Sequence, residues 1–334
     1  MASLGTIPRR CVNLPPGTLR ALAGCLYRHT VQAGPALGVF QQRMAQWLGV
    51  PYVFGTSMGR SAFQLALESL NLDKDAEIIF PALTFPVIPM IAQMLGYTPV
   101  FCPVDAVTLN AGPQHIAPMI TARTGAIVAT HLFGQACPIH DVVALAGQQG
   151  IRVIEDCAHA CGVRVDGRQV GTLGDVGVFS FAEGKNMPCL GGGAIATGDA
   201  AVARRAEALV AKAPTPATAT ILKTALSIWA KWLLTRPIVF GLTAHPVLRL
   251  QLCLGRPLMD STVGDELLED LRHAKPTVSR MANLQATIGL LQLEHIDAFN
   301  AGAQRNAQLL TDALSIVPGL TLPQAKDDHH IYVY

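Results

Sequence analysis

Phe179-Ser180-Phe181-Ala182-Glu183-Gly184-Lys185-Asn186 reads as a strand that runs into a lysine-bearing turn, and Gly191, Gly192 and Gly193 follow shortly after. Ser180 alternates with two phenylalanines, so its hydroxyl points to the sheet face opposite their rings. Upstream, Ile154-Glu155-Asp156 closes another apolar run with two carboxylates. A lysine and an aspartate in this order suit an aldehyde cofactor that acts as an electron sink. The amine holds such a group covalently and the carboxylate keeps its pyridine nitrogen protonated. Pyridoxal 5'-phosphate is the cofactor these parts suggest.

Short apolar runs continue outward from this stretch at Glu77 to Phe80, Pro99 to Val104, Ala126 to Thr130, Arg152 to Glu155, Val176 to Phe181 and Gly193 to Thr197. They alternate with helical patterns, which predicts an α/β fold: a mostly parallel sheet flanked by helices. Between Ser61 and Leu70 the apolar residues Ala62, Phe63, Ala66, Leu67 and Leu70 recur at helical spacing, which places a first turn at Gly59 and Arg60. Unpaired N–H groups and the helix dipole make such a start a ready phosphate site. Asn283 to Leu314 reads as a further helical region.

Several segments, in order, resemble the DegT/DnrJ/EryC1/StrS family of pyridoxal-phosphate-dependent sugar aminotransferases. They are Ser57-Met58-Gly59-Arg60-Ser61-Ala62-Phe63-Gln64-Leu65-Ala66-Leu67, Phe80-Pro81-Ala82-Leu83-Thr84-Phe85, His131-Leu132-Phe133-Gly134-Gln135, Ile154-Glu155-Asp156-Cys157-Ala158-His159-Ala160-Cys161-Gly162, the lysine segment, and Arg280-Met281-Ala282-Asn283-Leu284-Gln285-Ala286. The resemblance implies the aspartate-aminotransferase-like arrangement called fold type I. It makes Lys185 and Asp156 the catalytic pair, with His159 near the ring's phenolic oxygen and Phe85 stacked on the pyridine face. Ser180, Gly59, Arg60 and Ser61 would hold the phosphate.

The same resemblance implies a homodimer with active sites at its interface. The chain is expected to divide into an N-terminal segment (1–30), a large cofactor-binding domain (31–212), an amphipathic insertion (213–262), where Pro214 and Pro216 break the strand–helix rhythm, and a smaller α+β domain (263–334). That last domain reads as incomplete, because in the family more chain follows a strand like His330-Ile331-Tyr332-Val333. Two departures stand out. Met58-Gly59-Arg60 replaces the common Ser-Gly-Thr, exchanging a hydroxyl for a guanidinium that either binds phosphate or points away. Val278-Ser279-Arg280-Met281 lacks the Asn of Asn-Tyr-Arg-Met, usually a contact offered by the other subunit.

Composition excludes several other classes. With 25 basic and 23 acidic residues the net charge is +2, and the cations form no run that would track a nucleic acid. The eight cysteines are scattered without a CxxC pair, which suits a reducing compartment and makes cytoplasm the expected location. Cys157, His159 and Cys161 lack zinc-ligand spacing and no second cluster follows, so no metal is expected. Leu22-Ala23-Gly24-Cys25 imitates a lipoprotein cleavage box but has no apolar core before it. Gly171, Gly174 and Gly177 precede a strand, where a dinucleotide fingerprint would follow one.

The most apolar region, Ile221 to Leu250, is cut by Lys223, Lys231, Arg236, Pro237, Pro246 and Arg249, so it does not span a bilayer. Its stripe of Leu222, Leu226, Trp229, Trp232 and Leu233 suits peripheral contact with a membrane's inner face, packing on the protein itself, or a second subunit. The expected function is transfer of an amino group from glutamate or glutamine to a nucleotide-linked keto sugar in amino-sugar or polysaccharide biosynthesis. Lys185 argues against the dehydratase branch of the family, which has histidine there. The alternative is a non-catalytic or membrane-associated partner that keeps the fold.

Overall fold

Strands covered on both faces are continuously apolar, whereas strands with one wet face alternate. This chain shows the first pattern, in a computed structural model that describes residues 12–255, 277–320 and 322. The strands of the main sheet are β1 (Tyr52–Thr56), β2 (Glu77–Pro81), β3 (Thr98–Cys102), β4 (Thr124–Thr130), β5 (Arg152–Asp156), β8 (Val176–Ser180) and β9 (Gly193–Thr197). Every residue of β2 and β9 is buried. The spatial order is β1-β9-β8-β5-β4-β2-β3. The steps from β8 to β3 are parallel, and β9 runs antiparallel to both neighbours. A hairpin of β6 (Arg164–Val165) and β7 (Arg168–Gln169) lies outside this sheet.

One face of the sheet carries Ile78, Val128, Ile154, Val176 and Val178 and is covered by α3 (Gly59–Leu70) through Phe63, Leu67 and Leu70. The other carries Ile79, Ile127 and Val153 and is covered by α6 (Ile139–Gln149) through Ile139, Val142 and Ala146. Near β8 and β9 a further core joins Phe179 and Phe181 to Phe40 and Met44 of α2 (Ala36–Leu48) and to Met281. Helix α11 (Asn283–Leu293) lies against α2, and a Cβ added at Gly289 would meet the Phe40 ring at 2.6 Å. Helix α1 (Thr18–Tyr27) joins them through Cys25.

Most sequence-based strands appear within two residues of their expected ends. β1 and the β6–β7 hairpin were not anticipated, because a strand of five residues containing a glycine and two-residue arms carry little pattern. The helical region expected from Asn283 to Leu314 is two helices, α11 and α12 (Ile296–Leu314), because the chain bends at Glu294-His295. The expected strand at His330 to Val333 lies outside the described residues.

In the amphipathic region, α8 (Thr218–Leu234) buries Ile221, Ala225 and Ile228 against Val31, Leu190, Leu284 and Ile288; of the expected stripe, Leu222 packs at the margin of this core, whereas Leu226 and Leu233 are exposed. Lys231 of α8 also pairs with Glu183 at 2.7 Å, two residues before Lys185. The short helices α9 (Pro237–Leu242) and α10 (Ala244–Cys253) follow, and neither buries a residue. Among the described residues no helix is long and apolar enough to cross a membrane.

β8 admits no side chain at Gly177. A Cβ there would overlap the backbone of Gly171, whose Cα is 2.6 Å away and whose own φ of +86° is one that L-residues rarely adopt. Neither backbone can yield without breaking the turn that leads into the strand. Gly177→Ala is therefore expected to lower unfolding free energy by about 3 kcal/mol in a urea titration. A change below ~0.5 kcal/mol would show that the turn is not held as described.

Candidate active site

Ligand sites in open α/β sheets lie beyond the carboxyl ends of the strands, and there the chain gathers most of its expected functional residues. Asp156 is the last residue of β5, Thr130 the last of β4 and Ser180 the last of β8. Thr130 and Asp156 are register partners, so their side chains leave the same face. Ile154 precedes Asp156 on that face and Val178 precedes Ser180; both belong to the core under α3. Phe179 and Phe181 are buried on the far side, as the alternation around Ser180 predicts.

Gly59, at the first turn of α3, approaches Ser180 so closely that an added Cβ would meet the serine Cβ and Oγ, each at 2.7 Å. Gly193 is as tightly set, for its Cβ would meet the Gly59 N at 2.8 Å. The start of α3, Ser180 and the glycine run thus form one small cradle of backbone N–H groups beside a hydroxyl. Two expected members point elsewhere. The Ser61 hydroxyl lies 3.2 Å from Ser279 Oγ and 3.4 Å from the Thr277 carbonyl. The Arg60 Nε donates to the Met58 sulfur at 3.1 Å.

Lys185, Asp156 and His159 share one electrostatic environment. Burial lowers the pKa of Lys185, and Asp156 opposes that shift. Burial raises the pKa of Asp156 against the Ala158 N–H, 3.1 Å away, and the nearby Lys185 and His131. The direction of both shifts is that of a buried pair whose charges are poorly solvated. His159 is pushed down to about 4 by burial and by Lys185. Its Nδ1 accepts the Phe133 N–H at 3.4 Å and its ring stacks on Phe133, with centroids 5.9 Å apart. Phe133 holds φ at +55°, a strained value for an aromatic residue.

On the opposite face, Glu155 is wholly buried and was read only as the end of a strand. Its oxygens accept the N–H groups of Gly171 (2.8 Å), Leu173 (2.6 Å) and Gly174 (2.7 Å), and His131 Nε2 lies 3.0 Å away. His131 Nδ1 accepts the Cys137 N–H at 3.2 Å, which leaves the ring proton on Nε2 to donate to Glu155. Burial works against the glutamate's charge, but these donors outweigh it and hold its pKa below the usual range. His131, Glu155 and Cys157 place their ligand atoms within 4.8 Å of one another. Both Glu155 oxygens and both His131 nitrogens already have partners within the protein, so the cluster is structural.

Gln285 is another residue that pattern alone passed over. Its Nε2 donates to the Ser57 carbonyl at 3.2 Å and the Leu190 carbonyl at 3.3 Å, tying the lead into α3 to the glycine run. Thr84 and Thr130 have buried hydroxyls without a partner, next to Phe85 and opposite Asp156 respectively. Phe85 itself is 52% exposed at this end of the sheet. A glycine cradle at a helix start, an amine beside a buried carboxylate, an uncovered aromatic face and two unsatisfied hydroxyls together fit a phosphorylated aromatic aldehyde.

Comparison with known proteins agrees with this geometry. The sequence pattern of the DegT/DnrJ/EryC1/StrS aminotransferase family matches residues 17–221 and 268–334. The chain belongs to this family. The unmatched stretch, 222–267, takes in most of α8 and all of α9 and α10. Among family relatives, the chain is 40% identical over 162 residues to the UDP-N-acetyl-3-dehydro-alpha-D-glucosamine 3-aminotransferase of Acidithiobacillus ferrooxidans, covering 48% of this chain and 44% of that protein. It is 38% identical over 171 residues to the dTDP-3-amino-3,6-dideoxy-alpha-D-galactopyranose transaminase of Aneurinibacillus thermoaerophilus, covering 51% and 47%. The chain thus spans less than half the length of these curated relatives. The solved structure of DesV from S. venezuelae shares the fold at a TM-score of 0.71 with 26% identity, over 95% of this chain and 72% of DesV.

Two measurements test this construction. Because Glu155 serves donors on both oxygens, Glu155→Gln sets an amide NH2 against an N–H group; a loss of about 3 kcal/mol in urea unfolding is expected, and an unchanged midpoint would refute the assignment. His159 is expected to titrate near pH 4 in the folded, cofactor-free chain, followed by its imidazole C–H resonance in NMR. Its folded pKa lies below the unfolded value, so the unfolded chain binds the proton first and stability falls as pH drops from about 6.5 toward 4. A midpoint near the unfolded value would overturn the buried placement.

Proposed function

We propose that this chain carries the pyridoxal 5'-phosphate site of an aminotransferase that moves an amino group from glutamate or glutamine to a nucleotide-linked keto sugar. The observation that carries the reading is the meeting of Lys185 and Asp156 beside His159, on the sheet face where Ser180 and Gly59 form their cradle. Family membership supports it, as do the UDP- and dTDP-sugar transaminase activities named for its relatives.

When bound, pyridoxal phosphate supplies an electron sink that lets an amino group pass between carbonyl carbons. Lys185 holds it through its Nζ. Burial lowers the pKa of that amine, which favours the neutral form needed to attack a carbonyl or accept a proton. Asp156 is the anion that keeps a heterocyclic N–H protonated, and such a cation relieves the cost of burying the carboxylate. His159, neutral at physiological pH with its proton on Nε2, is in the donor form that a phenolate oxygen requires. The N–H groups at the start of α3 and the Ser180 hydroxyl bind phosphate, and Phe85 covers a ring face.

Around this mouth Met58, Leu83 and Phe85 are exposed. That apolar rim supports a homodimer in which a second subunit closes the site. Among the described residues, six buried free thiols suit a reducing compartment such as the cytoplasm.

Borohydride reduction of the cofactor-supplied protein, followed by peptide mapping, is expected to place a stable adduct on Lys185. Asp156→Asn is expected to keep the fold, by circular dichroism, while slowing the glutamate half-reaction by about 10³-fold. A folded wild-type protein that stays colourless and unlabelled in saturating pyridoxal phosphate would sink the reading and favour a non-catalytic partner.

A further inference from the structure

Beyond the site, exposed aliphatic side chains gather at the end of α8 and on α9 and α10. Ile238 (67%), Leu242 (70%), Leu250 (61%) and Leu254 (62%) are the most exposed of these, and α9 and α10 bury none of their own residues. An exposed apolar patch marks an interaction surface. The family's sequence pattern does not match 222–267, the stretch that holds most of this surface.

Charge identifies the occupant. From Ala208 to Met259 there is no Asp or Glu, while Lys212, Lys223, Lys231, Arg236, Arg249 and Arg256 all fall within it. Lys231 is paired with Glu183, and the Arg236 guanidinium lies over the Trp232 ring at 4.1 Å. A second copy of the chain docking on the patch would set like charges against each other, which costs affinity. An anionic bilayer complements them, and aliphatic side chains with tryptophans and cations at their margin have the composition of an interfacial helix.

We infer that α8 to α10 lay this protein on the surface of a membrane rich in anionic phospholipid. The aliphatic side chains enter the headgroup boundary, and Lys223, Arg236 and Arg249 face the phosphates. Because Lys231 joins α8 to Glu183, the docked surface adjoins the segment that bears Lys185.

Co-sedimentation of the full chain with vesicles tests this independently of the cofactor. Vesicles with about 30% phosphatidylglycerol in phosphatidylcholine are expected to pellet it at least tenfold more than pure phosphatidylcholine, and ~0.5 M salt to weaken the effect. The double variant Leu242→Glu/Leu250→Glu, altered only at exposed positions, is expected to stay in the supernatant with an unchanged thermal midpoint. Arg236→Ala/Arg249→Ala, which leaves the apolar face intact, is expected to lose most of the preference for phosphatidylglycerol. Failure of the wild-type chain to pellet overturns the inference. So does light scattering that shows a dimer dissociated by the leucine substitutions, which would assign the patch to a second copy.

Discussion

A buried carboxylate that accepts three backbone N–H groups and faces a histidine is the constraint on which the site end of this molecule depends. Glu155 connects β5 to the 171–174 turn, and through His131 it reaches the end of β4 and Cys137. Three consecutive elements of the parallel sheet are therefore held to one charge. The cost of leaving such a charge without donors inside a protein is large, so the turn, the strand ends and the histidine form together or not at all. Asp156, the next residue, emerges from this fixed base on the opposite face.

The two neighbouring carboxylates illustrate how environment divides roles between like residues. Glu155 has donors for both oxygens and its pKa is lowered; Asp156 has the Ala158 N–H at 3.1 Å and its pKa is raised by burial. One is electrostatically complete within the protein. The other keeps fewer partners, with Lys185 and His131 nearby only partly offsetting its burial. Strain at Phe133 fits the same division, since that residue presents both its N–H and its ring to His159.

Much of the sheet could be read from the linear chain, because strands buried on both faces leave largely apolar runs, such as Glu77–Pro81 in the parallel part and Gly193–Thr197 in the antiparallel β9. The start of α3 was also visible, since Gly59 is followed by a clear helical period. The Ser180 orientation followed from simple alternation between Phe179 and Phe181. What escaped notice had no local pattern. Glu155 looked like a strand end because its donors lie 16 to 19 residues away in a turn whose glycines gave no hint of a buried anion. Ser61 looked like a phosphate ligand, but its hydroxyl faces 277–279, a segment more than 200 positions downstream. Such pairings are set by tertiary closure, which no short window of residues encodes.

Gln285 carries a consequence for how the molecule is made. Its side-chain amide joins Ser57, 228 positions earlier, to Leu190, 95 positions earlier. On a ribosome, the strands and α3 emerge well before α11, so the nascent cradle waits open for a clamp still to be translated. Closing so long a loop is slow relative to local helix formation. Release of a chain ended before that glutamine would leave the edge of β1 and the glycine run untied, a vulnerability in biogenesis rather than in the finished protein.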